Sequence, residues 1–177
     1  VICLTFLMSC SMAFASTNKE AKAHYQEAMK LSQKGDWTSA ALEFMKAAQL
    51  NPKDSLIHAN LGVAFSQSGM HKKALLSFEK ALNLGYDSAG LRYNRGMSFA
   101  RVKLLDEAIK ELETALSMNR RMVKAEYDLG VLYDLQGNRD KALKQVQTLF
   151  KRNNKLAKKL YDQLDSPYTV VSVDDGG

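Results

Sequence analysis

Apolar residues recur along most of the chain at spacings of three and four, the pattern of amphipathic α-helices. The segment 58–65 is typical, because Leu61, Gly62 and Phe65 fall on one helical face while Asn60 falls on the opposite side. The same arrangement returns every 34 residues, at 24–31, 92–99 and 126–133. A fixed period of this length predicts a repeat architecture built from short helices.

Four repeat units follow from this period, at 21–54, 55–88, 89–122 and 123–156. Each unit has a small residue early in its first helix: Ala28, Gly62, Gly96 and Gly130. Each also has an alanine, followed four residues later by a larger apolar side chain, in its second helix: Ala40 and Phe44, Ala74 and Phe78, Ala108 and Leu112, Ala142 and Val146. Small residues let two helices approach closely, and the pairs are expected to bury their apolar stripes by stacking.

Glycines separate the two halves of three units, at Gly35, Gly69 and Gly137, whereas the third unit has Lys103 there. A glycine at this place can end the first helix. After the last unit, Leu156, Leu160 and Leu164 predict a capping helix at 155–165. We expect residues 166–177 to form a flexible tail.

The repeated motif resembles that of tetratricopeptide repeat proteins. "LGVAF" with "ALLSF" in the second unit, and "LGVLY" with "ALKQV" in the fourth, fit the family pattern well. Glu27 in the first unit departs from it, and only Pro52 represents the closing proline. The resemblance implies an all-α fold, a right-handed α-solenoid of four helix-turn-helix units with a C-terminal capping helix.

A row of polar residues lies on the helical face opposite the repeat motif: Gln26, Asn60, Asn94 and Asp128. In tetratricopeptide repeat proteins this face lines a concave groove, where asparagines hold the backbone of an extended peptide. The resemblance therefore implies a peptide-binding groove. A carboxamide suits that task because it both donates and accepts hydrogen bonds. We expect Asn60→Ala combined with Asn94→Ala to weaken partner binding while leaving folding nearly intact.

The neighbours of this row supply apolar surface and charge to the predicted groove. They are Tyr25, Tyr93, Tyr127, Met29, Val63, Met97 and Val131, with Arg101 and Lys124 among the charged residues. The alternative is that these side chains pack between neighbouring first helices without any ligand. The lysine, asparagine and arginine cluster with which chaperone-binding family members hold a C-terminal carboxylate is not expected, since only its central asparagine is present.

The charge and chemistry of the chain limit other functions. Net charge is +6, and "KRNNKLAKK" at 151–159 is the densest basic run, so nucleic-acid or anionic-surface binding through the C-terminal helix is an alternative. His24 and His58 occupy equivalent places in adjacent repeats, too far apart to share a metal, and are expected to be packing residues. No motif of an enzyme or a cofactor site is present, and we predict neither activity nor cofactor.

Residues 1–15 carry no charge and end in Ala13-Phe14-Ala15, which fits the apolar core and cleavage pattern of a signal peptide. Residues 16–20 would then be a short leader. "LMSC" also resembles a bacterial lipobox, in which Cys10 would be lipidated. We therefore expect an exported protein, periplasmic or secreted, or a lipoprotein anchored in the outer membrane. The predicted function is a scaffold or assembly factor of the bacterial envelope that binds an extended or helical segment of another protein.

Overall fold

The computed structural model of the chain describes residues 2–165, with side-chain surroundings described from residue 17 onwards. All regular structure in this part is helical. The helices are α1 (Ile2–Gln33), α2 (Trp37–Leu50), α3 (Ser55–Gln67), α4 (His71–Asn83), α5 (Ala89–Arg101), α6 (Leu105–Met118), α7 (Val123–Leu135), α8 (Arg139–Phe150) and α9 (Asn154–Asp165). Four consecutive helix pairs and a final helix therefore form a helical solenoid, as the sequence predicts.

The turn inside each pair has the same left-handed residue. Gly35, Gly69 and Gly137 each have φ of 80°, and Lys103 has φ of 64° at the equivalent place in the third pair. In each turn the following backbone N–H donates to a carbonyl five residues earlier, as in Asp36 to Leu31 and Leu104 to Phe99. The third pair therefore keeps the turn although its side chain disfavours that conformation.

Three glycines of the first helices lie against large side chains. A Cβ atom on Gly62 would lie 2.6 Å from the Phe78 ring, and one on Gly96 would overlap Leu112. At Gly130 the blocking side chain is Leu160 of α9, which is fully buried. The final helix thus occupies, beside the fourth pair, space that the second helix of the pair fills in the second and third repeats. The small residues are needed for close helix packing, as predicted.

The helices α1, α3, α5 and α7 are called the first helices here, and α2, α4, α6 and α8 the second helices. Within the described residues, α3 packs on α5 and α7 packs on α9, and no two second helices pack together to a comparable extent. Helix α9 therefore continues the row of first helices. We call the surface of this row that carries Gln26, Asn60, Asn94 and Asp128 the groove.

The two ends of the chain contain the segments predicted to be a signal peptide and a flexible tail. Helix α1 continues without a break through the expected cleavage point after Ala15. No helix in the described part of the chain has the length and apolar character needed to cross a membrane. The predicted flexible tail at 166–177 lies outside the described residues.

The two histidines, expected to be packing residues, each have a polar partner. His24 Nδ1 lies 2.6 Å from Glu43 Oε2, linking α1 to α2, and both side chains are largely shielded from solvent. His58 Nε2 lies 2.9 Å from the carbonyl oxygen of Pro52. Both rings are therefore half-buried and hydrogen-bonded.

Candidate functional site

Polar residues follow one another along the groove from α1 to α7. Gln26 is exposed, whereas Asn60, Asn94 and Asp128 are half-buried. Gly62 and Gly96 hold α3 and α5 close to their second helices, and Gly130 holds α7 close to α9. The structure therefore places the four predicted residues in one row, but in different environments.

Three tyrosines connect the row from one first helix to the next. Asn60 Nδ2 donates to the Tyr25 hydroxyl at 2.9 Å, and the Tyr93 hydroxyl donates to Asp128 Oδ2 at 2.7 Å. The Tyr127 hydroxyl donates to Gln163 Oε1 of α9 at 3.1 Å. Each tyrosine precedes its own row position by one residue. Tyr25 and Tyr93 contact the row residue of a neighbouring first helix, and Tyr127 contacts α9. The tyrosine hydroxyls thus pack between first helices, as the alternative interpretation of the sequence expected.

Asp128 is the carboxyl group that this arrangement buries most within the groove. Burial raises its pKa, while the hydrogen bond from Tyr93 and the nearby cations Lys124, Lys159 and Arg101 oppose that rise. The pKa of Tyr93 is also raised, first by burial and then by its bond to Asp128. The pair therefore joins α5 to α7 through a hydrogen bond that is shielded from solvent.

The junction between α3 and α5 lacks such a tyrosine, because Ala59 stands at the equivalent place and is 6% exposed. A hydrogen bond of 3.1 Å from Ser98 Oγ to Ser66 Oγ connects the two helices instead. Within the described part of the chain, the amide group of Asn94 has no hydrogen-bond partner. It is therefore available to a ligand.

A cavity of about 380 Å³, called the Asn94 cavity here, opens at this junction. Its walls are Ser66, Gln67, Gly69, His71, Tyr93, Asn94, Met97, Arg101 and Lys124. The Lys124 ammonium lies 5.6 Å from the centre of the Tyr93 ring, which fixes one side of the cavity. The His71 Nδ1 atom is buried without a hydrogen-bond partner. Burial, together with the neighbouring Arg101, lowers the pKa of His71, so this ring is neutral at pH 7.

A second cavity of about 500 Å³, called the apolar cavity here, lies between α5 and α7. Its walls are Met97, Ala100, Arg101, Lys103, Leu105, Asp128, Val131, Leu132 and Leu135. Met97 and Arg101 belong to both cavities, so the two are contiguous. This arrangement offers polar donors beside an apolar surface, as many ligand sites do.

The remaining predicted apolar residues are shared between the core and the groove. Met29 and Val63 pack against the N-terminal half of the core, and Met97 and Val131 against the C-terminal half. Of these, Met97 and Val131 also line the apolar cavity. The apolar surface of the groove is therefore concentrated around α5 and α7.

The basic C-terminal run is partly engaged within the protein. Arg152 Nη1 lies 2.6 Å from Glu126 Oε1, and Lys159 lies over the Tyr127 ring at 5.1 Å. Lys151, Lys155 and Lys158 remain exposed. The run is therefore not a continuous cationic surface.

His71 and the tyrosine bonds were not predicted from the sequence. His71 begins α4 next to a glycine turn and resembles an ordinary surface residue in the sequence. The tyrosine bonds have a detectable signal, since Tyr25 and Asn60, like Tyr93 and Asp128, are separated by 35 residues, one more than the repeat. A separation of 35 residues indicates that the tyrosine side chain contacts the first helix of the following repeat.

Family comparison identifies the repeated unit. The tetratricopeptide repeat model matches residues 93–155, and a second model of the same repeat matches residues 57–84. Tetratricopeptide repeats are present in this chain. No curated protein sequence matches it significantly.

Solved structures share the fold of this tetratricopeptide repeat chain. The crystal structure of MamA has a TM-score of 0.71 and 23% identity, covering 82% of this chain and 86% of MamA. YrrB, described as a tetratricopeptide repeat protein with an unusual peptide-binding site, has a TM-score of 0.68 and 21% identity, over 87% of this chain and 89% of YrrB.

A third similar structure holds a peptide. It is the first tetratricopeptide repeat unit of Spaghetti (RPAP3) bound to the HSP90 peptide SRMEEVD, with a TM-score of 0.64 and 18% identity. The match covers 68% of this chain and 95% of that one. At these identities the likeness shows the shared fold.

Proposed function

We propose that this chain is a protein-interaction module that binds a peptide segment of a partner protein in its groove. The observation that carries the proposal is the Asn94 amide, which lies in an open junction of the row and has no hydrogen-bond partner among the described residues. An amide of this kind can pair with the N–H and C=O groups of an extended backbone of any sequence.

The shape of the groove supports the same function. The Asn94 cavity and the apolar cavity are contiguous through Met97 and Arg101. A peptide backbone bonded to Asn94 would have an apolar surface within reach of its side chains. Apolar burial is needed because one or two amide hydrogen bonds, at about 0.5–1.5 kcal/mol each, give little affinity by themselves. Two of the similar structures are described with a peptide-binding site or a bound peptide.

The test is direct binding of random peptides to the full chain. A fluorescently labelled chain is applied to an array of random dodecapeptides with acetylated N-termini and amidated C-termini. The strongest peptides are then titrated against wild type, Asn94→Ala and the control Asn83→Ala, which lies on the exposed surface of a second helix. We expect Asn94→Ala to lose about three- to tenfold in affinity and the control to lose none.

Two results would contradict the proposal. If the folded wild-type chain binds no peptide, peptide recognition is not its function. Equal affinities for Asn94→Ala and Asn83→Ala would place the bound peptide outside the groove. Thermal unfolding of both variants verifies that each remains folded.

We propose further that residues 1–15 direct export and that the module acts as a scaffold or assembly factor in the bacterial envelope. The support is the absence of charge in this segment and its Ala13-Phe14-Ala15 end. Mass spectrometry of the chain purified from producing cells distinguishes the possibilities. A chain beginning at Ser16 indicates a cleaved signal peptide, and one beginning at a lipid-modified Cys10 indicates a lipoprotein. An unprocessed chain would contradict export by either route.

A further inference from the structure

Two cations at the Asn94 cavity have no ion-pair partner among the described residues. They are Arg101, at the end of α5, and Lys124, in the first turn of α7. Other arginines of α5 are paired, since Arg92 and Arg95 both contact Glu111, with the Arg95 to Glu111 distance at 2.8 Å. The two cations of the cavity therefore differ from these arginines in making no salt bridge to a carboxylate within the described residues.

One carboxyl group faces the same region, and it is already bonded. Asp128 Oδ2 accepts the hydrogen bond from Tyr93 at 2.7 Å and lies in the wall of the apolar cavity. Two positive side chains against one negative side chain leave the region with a positive excess. A ligand that enters the cavity therefore meets a field that favours negative charge.

The polar groups of the cavity are also suited to an anion. Asn94 has an amide N–H₂ without an acceptor, and Arg101 and Lys124 have several donors between them. Hydrogen bonds from charged donors to a carboxylate are about twice as strong as neutral ones. A carboxylate in the Asn94 cavity would engage donors that have no acceptor side chain within the described residues.

The adjoining apolar cavity defines a second requirement. Val131, Leu132 and Leu135 form its α7 side, and Leu135 is 45% exposed. Arg101 and Met97 line both cavities and lie at the boundary between this surface and the Asn94 cavity. A ligand that fills both cavities must carry a negative group and an apolar group close together.

Building on the proposed function, we propose that the groove selects peptide segments in which an internal Asp or Glu lies near a Leu, Ile, Met or Phe. The acidic side chain enters the Asn94 cavity and contacts Arg101 and Lys124, and the apolar side chain enters the apolar cavity. The acidic group belongs to an internal residue because helices of the same row lie on both sides of this site, joined at Tyr25 and Asn60 on one side and at Tyr127 and Gln163 on the other.

The experiment uses the same array of acetylated and amidated dodecapeptides, with a second array whose peptides have free C-termini. The chains compared are the wild type, Arg101→Gln with Lys124→Gln, and the matched control Lys110→Gln with Lys144→Gln. The control removes two exposed lysines of second helices and so makes the same change in net charge. All binding is measured at low and at physiological ionic strength, since salt weakens exposed charge contacts.

We expect peptides selected by the wild type and by the control to be enriched in an acidic residue beside an apolar one. The Arg101 and Lys124 variant should bind peptides without that acidic enrichment. In a selected peptide, replacing the acidic residue by its amide should lower affinity for the wild type about tenfold and leave affinity for the variant nearly unchanged.

Each contrary result has a distinct meaning. Peptides selected without acidic enrichment would overturn this proposal and leave peptide binding in the groove intact. Enrichment confined to peptides with a free C-terminus would overturn it in favour of terminal carboxylate recognition. Loss of acidic preference in the lysine control would show that general charge, and not this cavity, makes the selection. No peptide bound by the wild type would be the failure of the proposed function itself.

Discussion

Asn60 and Asn94 occupy the same position in consecutive first helices, yet among the described residues only the Asn60 side chain has a hydrogen-bond partner. Its partner is the hydroxyl of Tyr25, one helix earlier, at 2.9 Å. The residue in that place before Asn94 is Ala59, which reaches no amide. Tyrosine or alanine at this place in the preceding repeat thus decides whether the asparagine is bonded within the protein or available to a ligand.

The same comparison divides the whole row into closed and open junctions. The closed junctions connect their helices by a hydrogen bond to or from a tyrosine hydroxyl, at Tyr25 and Asn60, Tyr93 and Asp128, and Tyr127 and Gln163. The open junction, at Ala59 and Asn94, contains the cavity. Sequence equivalence within a repeat protein therefore does not imply equivalent surroundings, because each side chain of the groove also contacts the neighbouring repeat.

The largest expected loss of folding stability follows from removing the hydrogen bond of the closed junction whose acceptor is charged. Tyr93→Phe removes the hydrogen bond from the Tyr93 hydroxyl to the half-buried Asp128 carboxylate, and we expect it to lower the free energy of unfolding by about 1–3 kcal/mol. Tyr127→Phe is the matched control, because its acceptor Gln163 is neutral, and it should lower that energy by about 0.5–1.5 kcal/mol. Urea denaturation at pH 7 measures both. Equal losses would show that the charge of the acceptor is unimportant.

A smaller effect separates the two asparagines. Asn60→Ala removes the bond to Tyr25, and we expect it to lower the free energy of unfolding by about 0.5–1.5 kcal/mol. Asn94→Ala should change that energy by less than about 0.5 kcal/mol, since no bond is removed. Urea denaturation of the two single variants decides the matter. If the two lose the same stability, the distinction between closed and open junctions is wrong.

The Tyr25 contact bears on one prediction from the sequence. That prediction is that replacing Asn60 and Asn94 together leaves folding nearly intact, because both point away from the repeat motif. That direction is correct, but Asn60 meets Tyr25 there. For a test of binding alone, Asn94 is therefore the suitable residue.

Much of the fold could be predicted because it depends on local pattern. The period of 34 residues places Gly62 and Gly96 against their second helices, and helices begin at Ser55, Ala89 and Val123, where the predicted units begin. Even Lys103, which breaks the glycine pattern, keeps the left-handed turn with φ of 64°. The surrounding hydrogen bonds determine that turn more strongly than the residue type does.

The candidate site was harder to predict, because it depends on contacts between repeats. The sequence shows that Asn60, Asn94 and Asp128 share a face, but it does not show how far a tyrosine reaches across to the next helix. The same limit applies to His71, which reaches the Asn94 cavity only through the packing of α4 beside α5. Residues that line a groove between units are therefore the ones that a repeat pattern describes least well.

The smallest expected effect concerns the charge buried in a closed junction. Asp128→Asn keeps an acceptor oxygen for the Tyr93 hydroxyl but removes the ionised group. Because burial raises the pKa of Asp128 above its ordinary value of 3.8, ionisation costs folding stability as the pH rises through the raised pKa. The stabilising contribution of the neutral carboxyl is complete only below the ordinary pKa.

The stability of the variant relative to the wild type should therefore increase from about pH 3 to about pH 7. We expect the change in the difference between their free energies of unfolding to stay below about 1 kcal/mol, because solvent screens a carboxyl that is not fully buried. Urea denaturation at both pH values measures it. A change in the opposite direction would mean that Lys124, Lys159 and Arg101 stabilise the ionised form more than burial opposes it. The cations around the Asn94 cavity would then be partly neutralised by Asp128, and the field that favours an acidic ligand would be correspondingly weaker.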